Sequence, residues 1–121
     1  SRQRKLELYR RIAELAVVDD LAALREELRD RYGPPPEPVR NLLYGVEVKL
    51  RAVKAGATEV RARGPELRVV LGRDIQPDER TRVLRSFPKA QAGQRQIRLS
   101  VLDVKADWRD ALTGLLDRLA S

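Results

Sequence analysis

No cysteine, histidine or methionine occurs among the 121 residues. Without cysteine there is no disulfide and no thiolate nucleophile; without histidine there is no imidazole base. Their joint absence also removes the usual zinc ligands and catalytic triads. A hydrolytic site would have to rest on paired acids or on a metal held by oxygens, and the sequence shows no such cluster. No catalytic, cofactor-binding or metal-ligating residue is therefore assigned. A run of about 18 apolar residues is missing too, and the N-terminal SRQRKLELYRR has no uncharged core, so neither a membrane span nor a signal peptide is expected and the cytoplasm is the default compartment. A start at Ser1 in a chain without methionine suggests a segment cut from a longer protein.

What is present describes a globular chain. Hydrophobic residues make up 42% and charged residues 36%, with seven Gly and seven Pro, which suits one domain with one core, or two closely packed subdomains, and excludes disordered and collagen-like classes. The net charge is +7, a value that by itself points to an acidic partner. It is nevertheless spread: residues 1–33 hold eight bases and seven acids, 34–72 seven and four, 73–121 ten and seven. Of the 25 basic residues 20 are Arg, a bias of composition as much as a binding device.

Periodicity predicts a helix from Arg4 to Ala16, with Leu8, Ile12, Leu15 and Ala16 recurring at helical spacing. A second should open at Asp19 and Asp20, both good N-caps, and run through Leu21, Leu24 and Leu28 to Tyr32, with Gly33 closing it. Pro34, Pro35 and Pro36 prevent continuation. A third helix is expected from Pro36–Pro38 to Lys54, stopped by Gly56. The period then changes to two, and Val60 and Ala62, a Gly64-Pro65 turn, and Leu67, Val69 and Leu71 form a hairpin. A short helix follows from Pro77 to the residues before Pro88. A third strand over Gln94–Leu102 buries Ile97, Leu99 and Val101. A last helix, capped by Asp107, carries Trp108, Leu112, Leu115, Leu116 and Leu119, with the single Trp in the core. The order ααα-ββ-α-β-α defines an α+β fold, helices packed on one face of a small antiparallel sheet.

Two groups of polar residues stand out. Arg61, Arg63, Arg68 and Arg98 fall on the strand face opposite the apolar one and form a weak nucleic-acid face, weak because the strands hold no Phe, Tyr or Trp on which bases could stack. On the second helix Asp20, Leu24, Glu27 and Arg31 make one flank suited to docking. Glu26 and Asp30 repel at i,i+4, and Asp30 sits in the last turn where the helix dipole disfavours an anion. The proline cluster needs no ligand to explain it, and Gly64-Pro65 has too few glycines to cradle phosphate.

Leu8-Tyr9-Arg10-Arg11-Ile12-Ala13, then Leu24-Arg25-Glu26-Glu27-Leu28-Arg29-Asp30-Arg31-Tyr32-Gly33, then Pro36, Val39, Leu42-Leu43, Val48-Lys49-Leu50 and Ala55-Gly56 together resemble the C-terminal (TRCF) domain of bacterial transcription-repair coupling factors (Mfd). The resemblance is strongest over residues 6–58, where ELxDRxG is its most specific part, with Tyr32 where the family commonly has Phe. It implies that residues 1–121 are a non-catalytic regulatory domain of a larger DNA translocase. Such a domain docks on the UvrB-like N-terminal module of the same polypeptide, masks the surface that binds UvrA, and restrains the motor. The residues of ELxDRxG that would carry the docking are Glu27, Asp30 and Arg31. ATP and Mg would belong to the parent motor, with no cofactor in this domain, and DNA and RNA polymerase would be reached through other domains. The alternative is a free-standing basic nucleic-acid-binding adaptor.

Overall fold

The computed structural model describes residues 2–120. Their order is α1 (Arg2–Ala13), α2 (Val18–Tyr32), α3 (Glu37–Ala55), β1 (Ala57–Arg63), β2 (Glu66–Leu71), α4 (Pro77–Ser86), β3 (Gln91–Ala92), β4 (Gln96–Ser100), a 3-10 turn at Val101–Asp103, and α5 (Trp108–Ala120). The strands form one antiparallel sheet in the order β1-β2-β4-β3, and the class is α+β as the sequence predicts. The chain makes two compact units, residues 1–50 and 51–121, with the division falling inside α3.

In the first unit the helix signals set existence better than ends. α1 stops at Ala13, so Leu15 and Ala16 lie beyond it; the Leu15 N–H donates to the Ile12 carbonyl at 3.2 Å in a tightened turn that ends the helix. Asp19 and Asp20 do not cap α2. Val17 holds that position with no side-chain cap bond, and both aspartates sit in the first turn, where they complement the positive end of the dipole. Gly33 closes the helix at φ 75°, its N–H donating to the Arg29 carbonyl at 2.8 Å, a conformation that a residue with a Cβ adopts only under strain. The Pro36 carbonyl then accepts from the Val39 and Arg40 amides, starting α3 where the proline cluster predicts. Arg25 reaches Glu47 at 2.6 Å and ties α2 to α3. Among the described residues of this unit, Leu21, Leu24 and Leu43 are the buried apolar side chains.

The second unit holds most of the core. Gly64 has φ 55° and Pro65 a fixed negative φ, the sign pattern of a type II′ hairpin turn, which matches the twist of the strands it joins. Leu67, Val69 and Leu71 of β2 and Ile97 and Leu99 of β4 face inward, and Val83 and Phe87 from α4 with Leu112, Leu115, Leu116 and Leu119 from α5 complete the core. Three expectations need correction. The sheet gains a fourth strand, β3, whose two residues pair with Arg98 and Ile97 and are too few to show an alternation. β4 ends at Ser100, whose Oγ accepts from the Leu102 amide at 3.3 Å, turning Val101 out of the strand. Trp108 is 41% exposed rather than core. Asp107 does cap α5, accepting the Arg109 amide at 2.8 Å, but this makes Trp108 the first helical residue, and a side chain there leans back past the end of the stripe below it. The Arg109 guanidinium lies 5.4 Å from the Trp108 ring centroid.

One polar cluster fixes how the second unit closes. Arg73 donates to both carboxylate oxygens of Glu79, at 2.6 and 2.7 Å, and to the carbonyls of Ala55 and Leu119 at 3.0 and 2.9 Å. A single guanidinium thus joins the end of α3, the end of α5 and the first turn of α4. Glu79 is 5% exposed and also accepts the Gln76 amide at 2.9 Å, which caps α4. The bonds from Arg73 hold the Glu79 carboxyl below its ordinary pKa, and Glu79 holds Arg73 above its own. Gly56 turns beside this pair at φ 75°, where a Cβ would stand 3.2 Å from Arg73 Nε.

Candidate functional site

The N-terminal unit carries a groove of about 350 Å³ between α1, α2 and the proline cluster. Its apolar lining comes from Leu8, Leu28, Tyr32, Val39 and Pro34–Pro36, and its polar lining from Arg4, Lys5, Glu7, Arg11, Glu27 and Arg31. The sequence explains the mixture. Leu8 of α1 and Leu28 of α2 each lie at the edge of an apolar stripe, and Gly33 with the prolines turns the chain so that Tyr32 stands at the rim. The four-residue step from Glu27 to Arg31 places both on one side of α2.

Two of the three docking candidates therefore meet in one place. Glu27 and Arg31 line the groove; Asp30, a turn-fraction away on the helix, does not. Asp30 is exposed, and its carboxylate makes no hydrogen bond or ion pair among the described residues. Of the flank proposed as a docking edge, Leu24 instead belongs to the core at 1% exposure, because its position on α2 is shared by the buried stripe.

Glu27 has a partner that helix-wheel reasoning did not supply. Arg11 Nη1 of α1 donates to Glu27 Oε2. That bond, assisted by the charges of Arg11 and Arg31, draws the Glu27 carboxyl below its ordinary pKa against the opposing cost of burial. Oε1 stays available for a second donor, since a carboxylate has about four acceptor sites. Four basic and two acidic side chains line the groove. The pairing joins two helices at a separation of 16 residues, which no local spacing rule detects.

The four arginines proposed on the sheet share its open face. Arg61 pairs across the strands with Arg68, and Arg68 with Arg98. Arg63 lies two residues along β1 on the same face, opposite Glu66. Among the described residues no group of three or more His, Cys, Asp or Glu could hold a metal ion, and no helix is long and apolar enough to cross a membrane.

A three-helix N-terminal unit followed by a four-stranded antiparallel sheet with two further helices is an arrangement found among solved structures. The crystal structure of the C-terminal domain of a transcription-repair coupling factor superposes with a TM-score of 0.72 over 97% of this chain and 79% of that one, at 23% identity, which establishes the fold class. The family model described as TRCF domain matches residues 1–81, two-thirds of the chain, and the chain belongs to the TRCF domain family. Curated relatives agree. The transcription-repair-coupling factor of Staphylococcus epidermidis is 27% identical over 122 residues, covering 96% of this chain and 10% of that protein. That of Mycobacterium bovis is 41% identical over 58 residues, 48% of this chain and 5% of that protein. In Staphylococcus haemolyticus the counterpart is 33% identical over 69 residues, 57% of this chain and 6% of the relative. The chain thus spans at most a tenth of the length of these relatives.

Proposed function

We propose that residues 1–121 are a regulatory domain of a transcription-repair coupling translocase, non-catalytic in itself, that docks on a UvrB-like N-terminal module of the same polypeptide. Docking there masks the UvrA-binding surface and restrains the motor until release. The observation that supports this reading is the groove. It lies within the family-matched segment, gathers Glu27 and Arg31 of ELxDRxG beside an apolar lining, and leaves one Glu27 oxygen open to a partner donor.

In the docked state a partner arginine shares Glu27 with Arg11, Arg31 donates to a partner acid or carbonyl, and Asp30 accepts a separate contact on the neighbouring flank. Intrinsic affinity need only be modest, because a tether supplies an effective concentration on the order of millimolar where geometry allows. Release from mostly closed to mostly open takes roughly 5.5 kcal/mol of differential binding, which competing UvrA, DNA and polymerase can supply together.

Calorimetric titration of this chain against the isolated UvrB-like module tests the reading. Saturable binding is expected, weakened at least about tenfold by Glu27→Arg or Arg31→Glu, with weak DNA binding at physiological salt. Absent module binding together with tight, salt-sensitive DNA binding would replace it with the nucleic-acid adaptor.

A further inference from the structure

The open face of the sheet carries a row of like charges. Register places Arg61, Arg68 and Arg98 directly across from one another on β1, β2 and β4, with Gln91 of β3 next in line. Facing side chains on neighbouring strands stand about 5 Å apart, where like charges destabilise a sheet. Relief is partial. Glu59 pairs with Arg61, and Glu66 with Arg68 at 3.7 Å, each from two residues along the same strand. Arg98 and, two residues along β1 from Arg61, Arg63 have no such partner among the described residues, and both are exposed. The opposite face needs none of this charge to form its core.

The geometry points to a protein partner that lays a helix with an acidic stripe across these strands, and we propose that the Arg61–Arg68–Arg98 row is a docking surface for it. Adjacent strands lie about 4.8 Å apart, so the row presents cations at roughly 0, 5 and 10 Å. A helix rising 1.5 Å per residue offers carboxylates at i, i+3 or i+4, and i+7, at about 0, 5 and 10 Å. Glu59 and Glu66 flank the row on opposite sides. They suit a helix whose positions beside the acidic stripe are basic or neutral, and they repel a phosphate backbone, which is negative throughout. The face also lacks any aromatic residue, so bases gain no stacking there. This surface shares no residue with the α2 groove and does not depend on the docking proposed for it.

The test uses three probes against the 15N-labelled chain at about 50 mM salt: an Ala-rich helical peptide with Glu at i, i+3, i+7 and i+10 and Lys on the flanks, a peptide of the same composition with its Glu residues distributed around the helix, and a 20-base-pair DNA duplex. The striped peptide is expected to shift the resonances of residues 59–70 and 96–98, including the arginine Nε–H signals. It should bind at least about fivefold more tightly than the scrambled peptide, and Arg68→Glu with Arg98→Glu should weaken it at least about tenfold. Because the row opposes folding, Arg68→Thr alone is expected to leave the melting temperature unchanged or raise it by about 2 °C, which separates lost docking from lost structure. Equal binding of the two peptides, DNA binding that exceeds both and vanishes in the same double variant, or no binding of the striped peptide up to about 1 mM would each overturn the proposal.

Discussion

The two compact units of this chain are built on different terms. Among the described residues the second unit, 51–121, buries fifteen apolar side chains and the first, 1–50, buries three, all leucines. The second unit adds a sheet ladder and the Arg73–Glu79 cluster, whereas the first relies on α-helices joined by Arg11–Glu27 and Arg25–Glu47 and leaves Leu6, Tyr9, Val17 and Tyr32 largely exposed. Burial supplies most of the favourable free energy of folding, and partly exposed ion pairs contribute little. A groove rimmed by charged side chains is accordingly found where burial is thin, since those groups must stay hydrated.

The sharpest way to break this comparison is to truncate one side chain in each unit. Leu116→Ala, in the core of the second unit, is expected to cost about 2–5 kcal/mol, and Ile12→Ala, half-buried on α1, no more than about 1 kcal/mol. Chemical denaturation followed by circular dichroism measures both, and equal losses would mean that the units are not energetically distinct. Next in size, Arg73→Ala should cost about 2 kcal/mol, below the 3–5 of a fully buried pair because the Arg73 side chain is 38% exposed. The loss comes chiefly from leaving Glu79 and the Ala55 and Leu119 carbonyls without their donor.

A pH series gives the smallest effect and the finest distinction. Glu79, Asp74, Asp78 and Glu27 are each held below their ordinary pKa, by Arg73, Arg95, Arg82 and Arg11 respectively. A carboxyl depressed in the folded state stabilises it above the unfolded pKa, and that contribution is lost as pH falls through the folded value. The melting temperature should therefore be flat above about pH 5 and fall below about pH 4. Glu79→Gln should reduce that acid dependence, while Glu27→Gln, at an exposed pair, should leave the melting temperature unchanged and alter only docking. A Glu27→Gln effect as large as that of Glu79→Gln would place a stability determinant in the groove.

Local chemistry made much of the fold legible. Pro34–Pro36 and the glycines at 33, 56 and 64 mark ends and turns because their backbone preferences operate without tertiary context. The buried positions Leu67, Val69 and Leu71 recur at every second residue, beginning between Glu66 and Arg68, which identifies a half-buried strand at once. Helix starts were harder: Asp19 and Asp20 satisfy the cap rule equally well as first-turn residues, and only the path of the chain before Val18 chooses. Trp108 misled because hydrophobicity says that a side chain is worth burying, not that the helix below it has begun early enough to bury it.

Within the candidate site, Glu27 and Arg31 could be read as one flank from their spacing, and the position of Asp30 outside the groove follows from the same wheel. Arg11 as the partner of Glu27, and Arg73 as the fastener of three chain ends, could not be read in this way. Their partners lie 16 residues away for Arg11 and up to 46 for Arg73, and a sequence with 20 arginines offers too many equivalent choices. The sequence by itself determined every α-helix, three of the four strands, the α+β class and the family, because period, breakers and motif spacing act over a few residues. Tertiary structure alone decided which arginine meets which carboxylate and which strands align their arginines in one row, because ion pairs are selected by the three-dimensional distance between groups that local rules cannot tell apart.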